Sequence, residues 1–592
     1  MKKIVFVLII FIFGKPFSAN SQTIVQNSNL FDSNHIPKEK IFVHYNTSFL
    51  LTGEQLNYKV YCLNFYNNSL SSHSKIAYVE LIGMDNTPII KQKIKLNSGL
   101  GQGDFLIPTK IQSGNYKLIA YTQSMKNFDK PLFFQSDISI INPFQTNQRS
   151  ILKKNTLIET ENSEIKKENN NHNKKLVNDV DNTYIELKTS AQSFSPRNKV
   201  DLSIISLNNH LSYGNYSISV RKIDTLPIPK RLTTETYMAL FPYNSSMNSI
   251  TNKTFFLPEL RGELISGQVF YEGSKPAPEN IKVALSISGK QFIFKIATTN
   301  NLGIFYFNIP EDYENSQAIV QVIHKDRNDF SIKMNSHSSI RYGNLKFYNF
   351  RVTPKIKDYV LKRSIYNQIE NVYASIKPFS NKNLKPVIPF FYSTSKIYYL
   401  DDYTRFPTIK ETIIEIIEEV YIKQLKGDRS FKVRVYDQLL ESNATPLVLV
   451  DGILIQNHNE LINFSAKKIK KISVVSDVFI YDSQTFEGII SMETFQGDYN
   501  TDLTGNYIKE FSLFRPLEIK NYYKQLYNVG DNSNRIPDYR SQLLWKPNFN
   551  FDKNEDSLFF FTSDNTGNYE ICLEGFTKNG IPISIRKIIT VQ

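Results

Sequence analysis

The stretch FLLTGEQLNYKVYC, residues 49–62, turns once and then alternates. Leu56, Tyr58, Val60 and Cys62 are separated by Asn57, Lys59 and Tyr61. A period of two puts one set of side chains on a core face and the other on the opposite face, which is a β-strand. Gly53 supplies the turn before it and Glu54 opens the strand. Outward from here the same grammar repeats: 76–82, 89–96 and 116–121 read as further strands, parted by Gly, Pro and Asn turns. Short strands at this spacing make residues 39–143 an immunoglobulin-like β-sandwich.

The rest of the chain extends that pattern. With 592 residues it exceeds what one hydrophobic core can organise. Phe and Tyr are abundant, 42 and 34, which favours strands. KKENNNHNKK lies in 144–181, a segment too polar to bury a core and therefore expected to be a disordered linker. A second β-sandwich is expected at 183–256, a third at 260–345, a helical connector at 346–425, a small α+β domain at 430–497, a connector at 498–542 and a C-terminal β module at 543–592. The triplet Gly-Asn-Tyr opens a late strand three times, in SGNYKLIAYT (113–122), YGNYSISVRK (213–222) and TGNYEICLEG (566–575). Three related sandwich modules follow from that repeat. Helices are expected at 355–373 and 408–420, each after a proline, with Ile356, Tyr359, Val360, Ile365, Ile369 and Val372 of the first on a face packed against a sheet. The fold class is thus mainly β: tandem immunoglobulin-like or macroglobulin-like β-sandwiches plus one small α+β domain.

Residues 1–21 read as a secretory signal peptide. Lys2 and Lys3 precede an apolar run from Ile4 to Phe13, and Ala19-Asn20-Ser21 is a small-x-small cleavage site. The expectation is export, to the periplasm or the outer membrane. The net charge is +14. Lysines are spread beside Glu and Asn, without the basic helical stripe that would announce nucleic acid, so no nucleic-acid partner is expected. Contact of this basic surface with the outer membrane is a further expectation. The two cysteines, Cys62 and Cys572, sit at inward strand positions and read as buried free thiols.

Motifs for catalysis or metal binding are sparse. The chain contains no HExxH, CxxC, GxSxG, Walker or dinucleotide-binding signature. Its eight histidines lack ligand spacing. Asp401-Asp402 and Glu418-Glu419 are adjacent pairs, and on a helix neighbours diverge by about 100°. No enzyme, cofactor or metal site is expected. TGEQ (52–55) differs by one residue from the CGEQ thioester of complement and α2-macroglobulin, but Thr52 offers no sulfur to form it.

Several stretches carry resemblances. EKIFVHYNTSFLLTGEQLNYKVYCLN (39–64) and SGNYKLIAYTQSMKNF (113–128) resemble the opening and close of macroglobulin-type MG2 domains in secreted proteins of Bacteroidota, with His44, Gly53 and Glu54 on the motif. LISGQVFYEGSKPAPENIKVALS with TTNNLGIFYFNIP is similar to a carboxypeptidase-regulatory-type β-sandwich, a noncatalytic domain. PLVLVDGILI (446–455), KKIKKISVVSD (467–477) and FEGIISMET (486–494) resemble the plug domain of TonB-dependent receptors. With about a hundred residues after Thr494 in this sequence, a self-contained receptor is not expected. These resemblances imply an accessory protein that acts by protein–protein contact with an outer-membrane β-barrel protein or complex. The candidate contacts are unpaired sandwich edges and the tight turn Asp451-Gly452. The alternative is a secreted or cell-surface adhesion module, since the last two strands resemble a type IX sorting domain.

Overall fold

The computed structural model describes residues 23–25 and 38–592, except 129–131, 149–150, 153–182, 242–253, 272–274, 278, 337–339, 341, 344, 382–386, 426–427, 436–444, 482–483, 500–503 and 528–534. The expected signal peptide and most of the expected linker lie outside the described residues. Where the linker was expected to begin, Ile151 is buried with Phe49, Leu51 and Phe350, so the chain there is anchored by an apolar side chain.

In the first sandwich, Glu39–Tyr45, Gln55–Asn64 and Leu100–Leu106 form one sheet. Phe49–Leu51, Phe134–Ile141, Gly114–Tyr121, Ile76–Ile82 and Pro88–Lys95 form the other, in that order. The alternation of 56–62 is present, but both faces of this strand are buried. Val60, Tyr61 and Cys62 all join one core cluster, and Tyr61 also reaches the second sandwich. Its hydroxyl donates to Ser217 Oγ at 2.9 Å, and His44 Nδ1 lies 2.6 Å from the same oxygen. Lys59 donates to Asn548.

The second sandwich is built from two distant parts of the chain. One sheet joins Ile185–Thr189, Lys199–Ser206 and Glu555–Phe561. The other runs Ser193–Phe194, Pro582–Val591, Gly567–Thr577, Gly214–Lys222 and Gln542–Phe551. This corrects the division into a domain at 183–256 and a separate C-terminal module at 543–592. The reason is pairing: Gly214 faces Thr577 and Lys222 faces Tyr569 on adjacent antiparallel strands. The second and third Gly-Asn-Tyr strands are therefore neighbours in one sheet, and the triplet marks two sandwiches rather than three. One core unites Ile185, Val200, Ile218, Phe551, Ile571 and Ile589.

The third sandwich opposes Glu263–Tyr271, Ile304–Ile309 and Phe330–Met334 to Lys282–Ile287, Ile293–Thr298 and Gln317–Ile323. Ile508–Ser512 returns to add an edge strand beside Gln317–Ile323. Between these two parts lies the α+β module. Its sheet orders Lys396–Tyr399, Ile469–Tyr481, Gln484–Thr494, Leu447–Val450 and Ile453–Leu454. It begins earlier than the expected 430, because Tyr398, Ile409 and Ile413 belong to its core. The helix expected at 408–420 is Ile409–Glu415. Thr408 accepts from the Glu411 amide, whose side chain reaches back to the Thr408 amide. The β-favouring run from Val420 then pairs as Val420–Leu425 with Asp428–Val433.

Chain order is thus nested. The α+β module sits inside the third sandwich, and both sit inside the second. Helix Lys357–Val372 connects the third sandwich to the α+β module. Among the described residues no helix is long and apolar enough to cross a membrane.

Candidate functional site

Thr52-Gly53-Glu54 forms a joint. Gly53 has φ +84°, and a Cβ there would lie 2.9 Å from Asn367 Nδ2. Glycine thus serves both the turn and the close approach of helix Lys357–Val372. Asn367 donates to the Thr52 carbonyl at 3.0 Å and Asn371 to that of Gly53 at 3.2 Å. Arg363, on the same face of the helix, grips Glu54 with two hydrogen bonds. Its Nε donates to Oε1 at 2.7 Å and its Nη2 to Oε2 at 2.8 Å. It also donates to Asp224, and to the Phe49 carbonyl at 3.1 Å. Arg363 is buried in this network, and the two carboxylates hold its guanidinium charged against the cost of burial. Arg221 of the second sandwich approaches Glu54 at 3.8 Å. The turn next to the first strand read from sequence is therefore where the first sandwich, the second sandwich and the connector meet.

Asp451 and Gly452 have φ +49° and +83°, the left-handed pair that a two-residue hairpin requires. As a partner contact they are corrected by the structure, because both are covered by the chain itself. Asp451 is fully buried. Its Oδ1 accepts from the Thr494 amide at 2.8 Å, and its Oδ2 from Thr494 Oγ1 at 2.6 Å and the Tyr499 amide at 2.9 Å. A Cβ on Gly452 would lie 2.3 Å from Phe292 of the third sandwich. The pair seals an internal interface.

The other polar candidates are also occupied locally. Asp401 is held by Arg405 at 2.5 Å, and Glu419 takes Lys396 at 2.7 Å and Tyr398 at 2.5 Å. Among the described residues no three His, Cys, Asp or Glu side chains stand together as a metal site. Cys62 and Cys572 are buried, unpaired and in different sandwiches. Burial pushes the Cys62 thiol well above its ordinary range, and the nearby Glu39 adds to it.

The connector helix carries the feature that sequence reasoning missed. Leu361, Ile365 and Val372 are spaced by four and seven residues and so form one stripe. They are 56%, 47% and 74% exposed. Arg363 lies about 200° around the helix from Leu361. Of the apolar set expected to pack, Ile356, Tyr359 and Val360 do so beside Arg363, against Phe49 and Phe350, whereas Ile365 and Val372 point outward. The reason is the partner: a turn bearing Glu54 recruits a guanidinium and two amides, not isoleucines. Nearly half of the exposed large apolar side chains among the described residues lie between Tyr348 and Tyr421. On the α+β module a groove is lined by Ile413, Ile414, Ile417 and Tyr421, with Lys410, Glu418, Arg429 and Arg434 around it.

No family model matches the sequence, and no curated protein does. Among solved structures, Escherichia coli α2-macroglobulin activated by porcine elastase is similar over 94% of this chain and 44% of its own, with 8% identity and a TM-score of 0.23. The latent PorU dimer of Porphyromonas gingivalis is similar over 51% of this chain and 33% of its own, with 10% identity and a TM-score of 0.15. The Escherichia coli adhesin FdeC is similar over 48% and 58%, with 8% identity and a TM-score of 0.14. The chain spans less than half the length of that macroglobulin. At these TM-scores none of the three bears on what the chain does.

Proposed function

We propose that the chain is a noncatalytic, exported scaffold that works by protein–protein contact. It resides in the periplasm or at the outer membrane and docks on an outer-membrane β-barrel protein or its complex. The resemblances to MG2, carboxypeptidase-regulatory and plug-type domains support the compartment and the class of partner. The observation that carries the reading is the outward stripe of Leu361, Ile365 and Val372. Contiguous exposed apolar surface marks an interaction site, and an amphipathic helix offers it to an apolar groove.

The test is affinity purification of the tagged chain from gently solubilised envelopes, beside a variant carrying Leu361→Ser, Ile365→Ser and Val372→Ser. A stoichiometric barrel protein should co-purify with the parent and be lost from the variant. The variant should keep the parent's unfolding profile, since these side chains are exposed. Equal recovery from both would remove the stripe from the proposal. Recovery of the parent alone, in the fraction released by shaving whole cells with protease, would favour the adhesion module instead.

A further inference from the structure

A half-open cleft of about 130 Å³ lies between strand Gly214–Lys222 and helix Lys357–Val372. Its walls carry Arg221, Lys222, Lys362 and Arg363 against Asp224, with Tyr366 at one side. Glu54 is the other carboxylate in reach. Four cations therefore face two anions, and Arg363 already engages both of those.

Arg221 is the informative residue. It is only 9% exposed, and its Nε donates to nothing. Its contact with Glu54, at 3.8 Å, is too long for a hydrogen bond. A guanidinium stays charged in proteins, and a buried donor left without an acceptor costs about 1–3 kcal/mol. Lys222 donates to Asn565 and, at 2.5 Å, to the Thr566 carbonyl, which are neutral acceptors. Burial, then the charges of Lys362 and Arg363, lower it to about 8. Lys362 is exposed, and its ammonium stands 5.5 Å over the Tyr366 ring.

We propose that this cleft binds a small tetrahedral oxyanion of the phosphate or sulfate class, with Arg221 as its principal donor. Lys222 and Lys362 supply the remaining positive charge. The half-open cleft has room for such an ion. The donors come from two elements, and a tetrahedral ion presents acceptors to both at once. A bound ion would tie the second sandwich to the connector helix beside the Glu54 joint. This inference stands apart from the partner proposed above.

The experiment uses the whole mature chain, melted in inorganic phosphate and in chloride at matched ionic strength. Parent, Arg221→Met and Lys362→Gln proteins are compared. The parent should show a saturable rise in Tm with phosphate. The half-saturating concentration should increase severalfold in Lys362→Gln and at least tenfold in Arg221→Met. Phosphate also stabilises proteins by exclusion from their surfaces, without saturation. A rise of equal size in all three proteins, or no rise in the parent, overturns the site. Should Arg221→Met fail to fold, Lys362→Gln paired with Lys222→Gln carries the same comparison.

Discussion

The Glu54–Arg363 pair should dominate the cohesion of the joint, and its size can be worked from its geometry. The two side chains are 10% and 8% exposed, and two hydrogen bonds join them. Removing one member of a buried pair typically costs about 3–5 kcal/mol, because the other charge is stranded. Glu54→Ala should fall at the low end, about 3 kcal/mol, since Arg363 keeps Asp224 and the Phe49 carbonyl. It also frees the Leu51 amide, which donates to Glu54 Oε2 at 3.0 Å. Arg363→Met should cost more, leaving Glu54 and Asp224 close together without their shared guanidinium. The assay is urea unfolding followed by the one tryptophan, Trp545, whose ring lies 5.1 Å from that of His44 across the two outer sandwiches. Because a chain of several modules need not unfold in one step, the transition that tryptophan reports is the one to compare. The double mutant should reveal a coupling of about 2 kcal/mol. A cost below about 1 kcal/mol for Glu54→Ala, or additive single mutants, would refute the reasoning. The desolvation of both charges would then cancel their attraction, and apolar contact would be holding the joint.

Three further outcomes are expected. Burial, opposed by Lys93, raises the Glu259 carboxyl from 4.5 to about 7, so the folded chain keeps a proton there that the unfolded chain has released. Glu259's contribution to stability should therefore fall as pH rises from about 4.5 to 7, by roughly 3 kcal/mol at most, while buried His44 and His458, whose pKa values burial lowers, contribute in the opposite sense; the difference between parent and Glu259→Gln in urea titrations across the range isolates it. Gly452→Ala forces a side chain into left-handed backbone and against Phe292, and should cost more than about 1–3 kcal/mol, read as easier proteolytic separation of the third sandwich from the α+β module. Joining Lys222 to Ser541 directly should yield a folded second sandwich, because the Lys222 amide already donates to the Ser541 carbonyl at 2.8 Å; an unfolded product by circular dichroism would contradict the nested description.

Strands were legible in the sequence because alternation reports local burial, and burial on at least one face is what a strand needs. Partners were not. Gly214–Lys222 and Gly567–Thr577 look like repeats of one module and are neighbours in one sheet. Nothing local distinguishes those cases, since the pairing spans some of the longest separations in the chain. The same limit applies to faces. Lys59 reads as a solvated position, and it is buried because the second sandwich covers it. The helical period of 357–372 was visible, but period alone does not say which stripe points inward. Glu54, some three hundred residues earlier, decides that. The turn at Asp451-Gly452 was legible down to its residue types, while Phe292, which covers it, was not.

Nesting has a consequence for how the joint forms. Closing a loop costs little more as it lengthens, about 0.6 kcal/mol for each doubling, so an insertion of residues 223–541 burdens the second sandwich modestly. It burdens it less still when the insertion folds with its ends together, as the Lys222–Ser541 hydrogen bond requires. Order of assembly is the stronger constraint. Strands 542–551, 555–561, 567–577 and 582–591 complete both sheets of the second sandwich, and Asn548, on the first of them, receives Lys59 from the first sandwich. Neither sheet can close before those residues exist. The first sandwich, the third sandwich and the α+β module each have their strands earlier. The contact between the two outer sandwiches, and the cleft beside Arg221, are therefore the last features the chain can build.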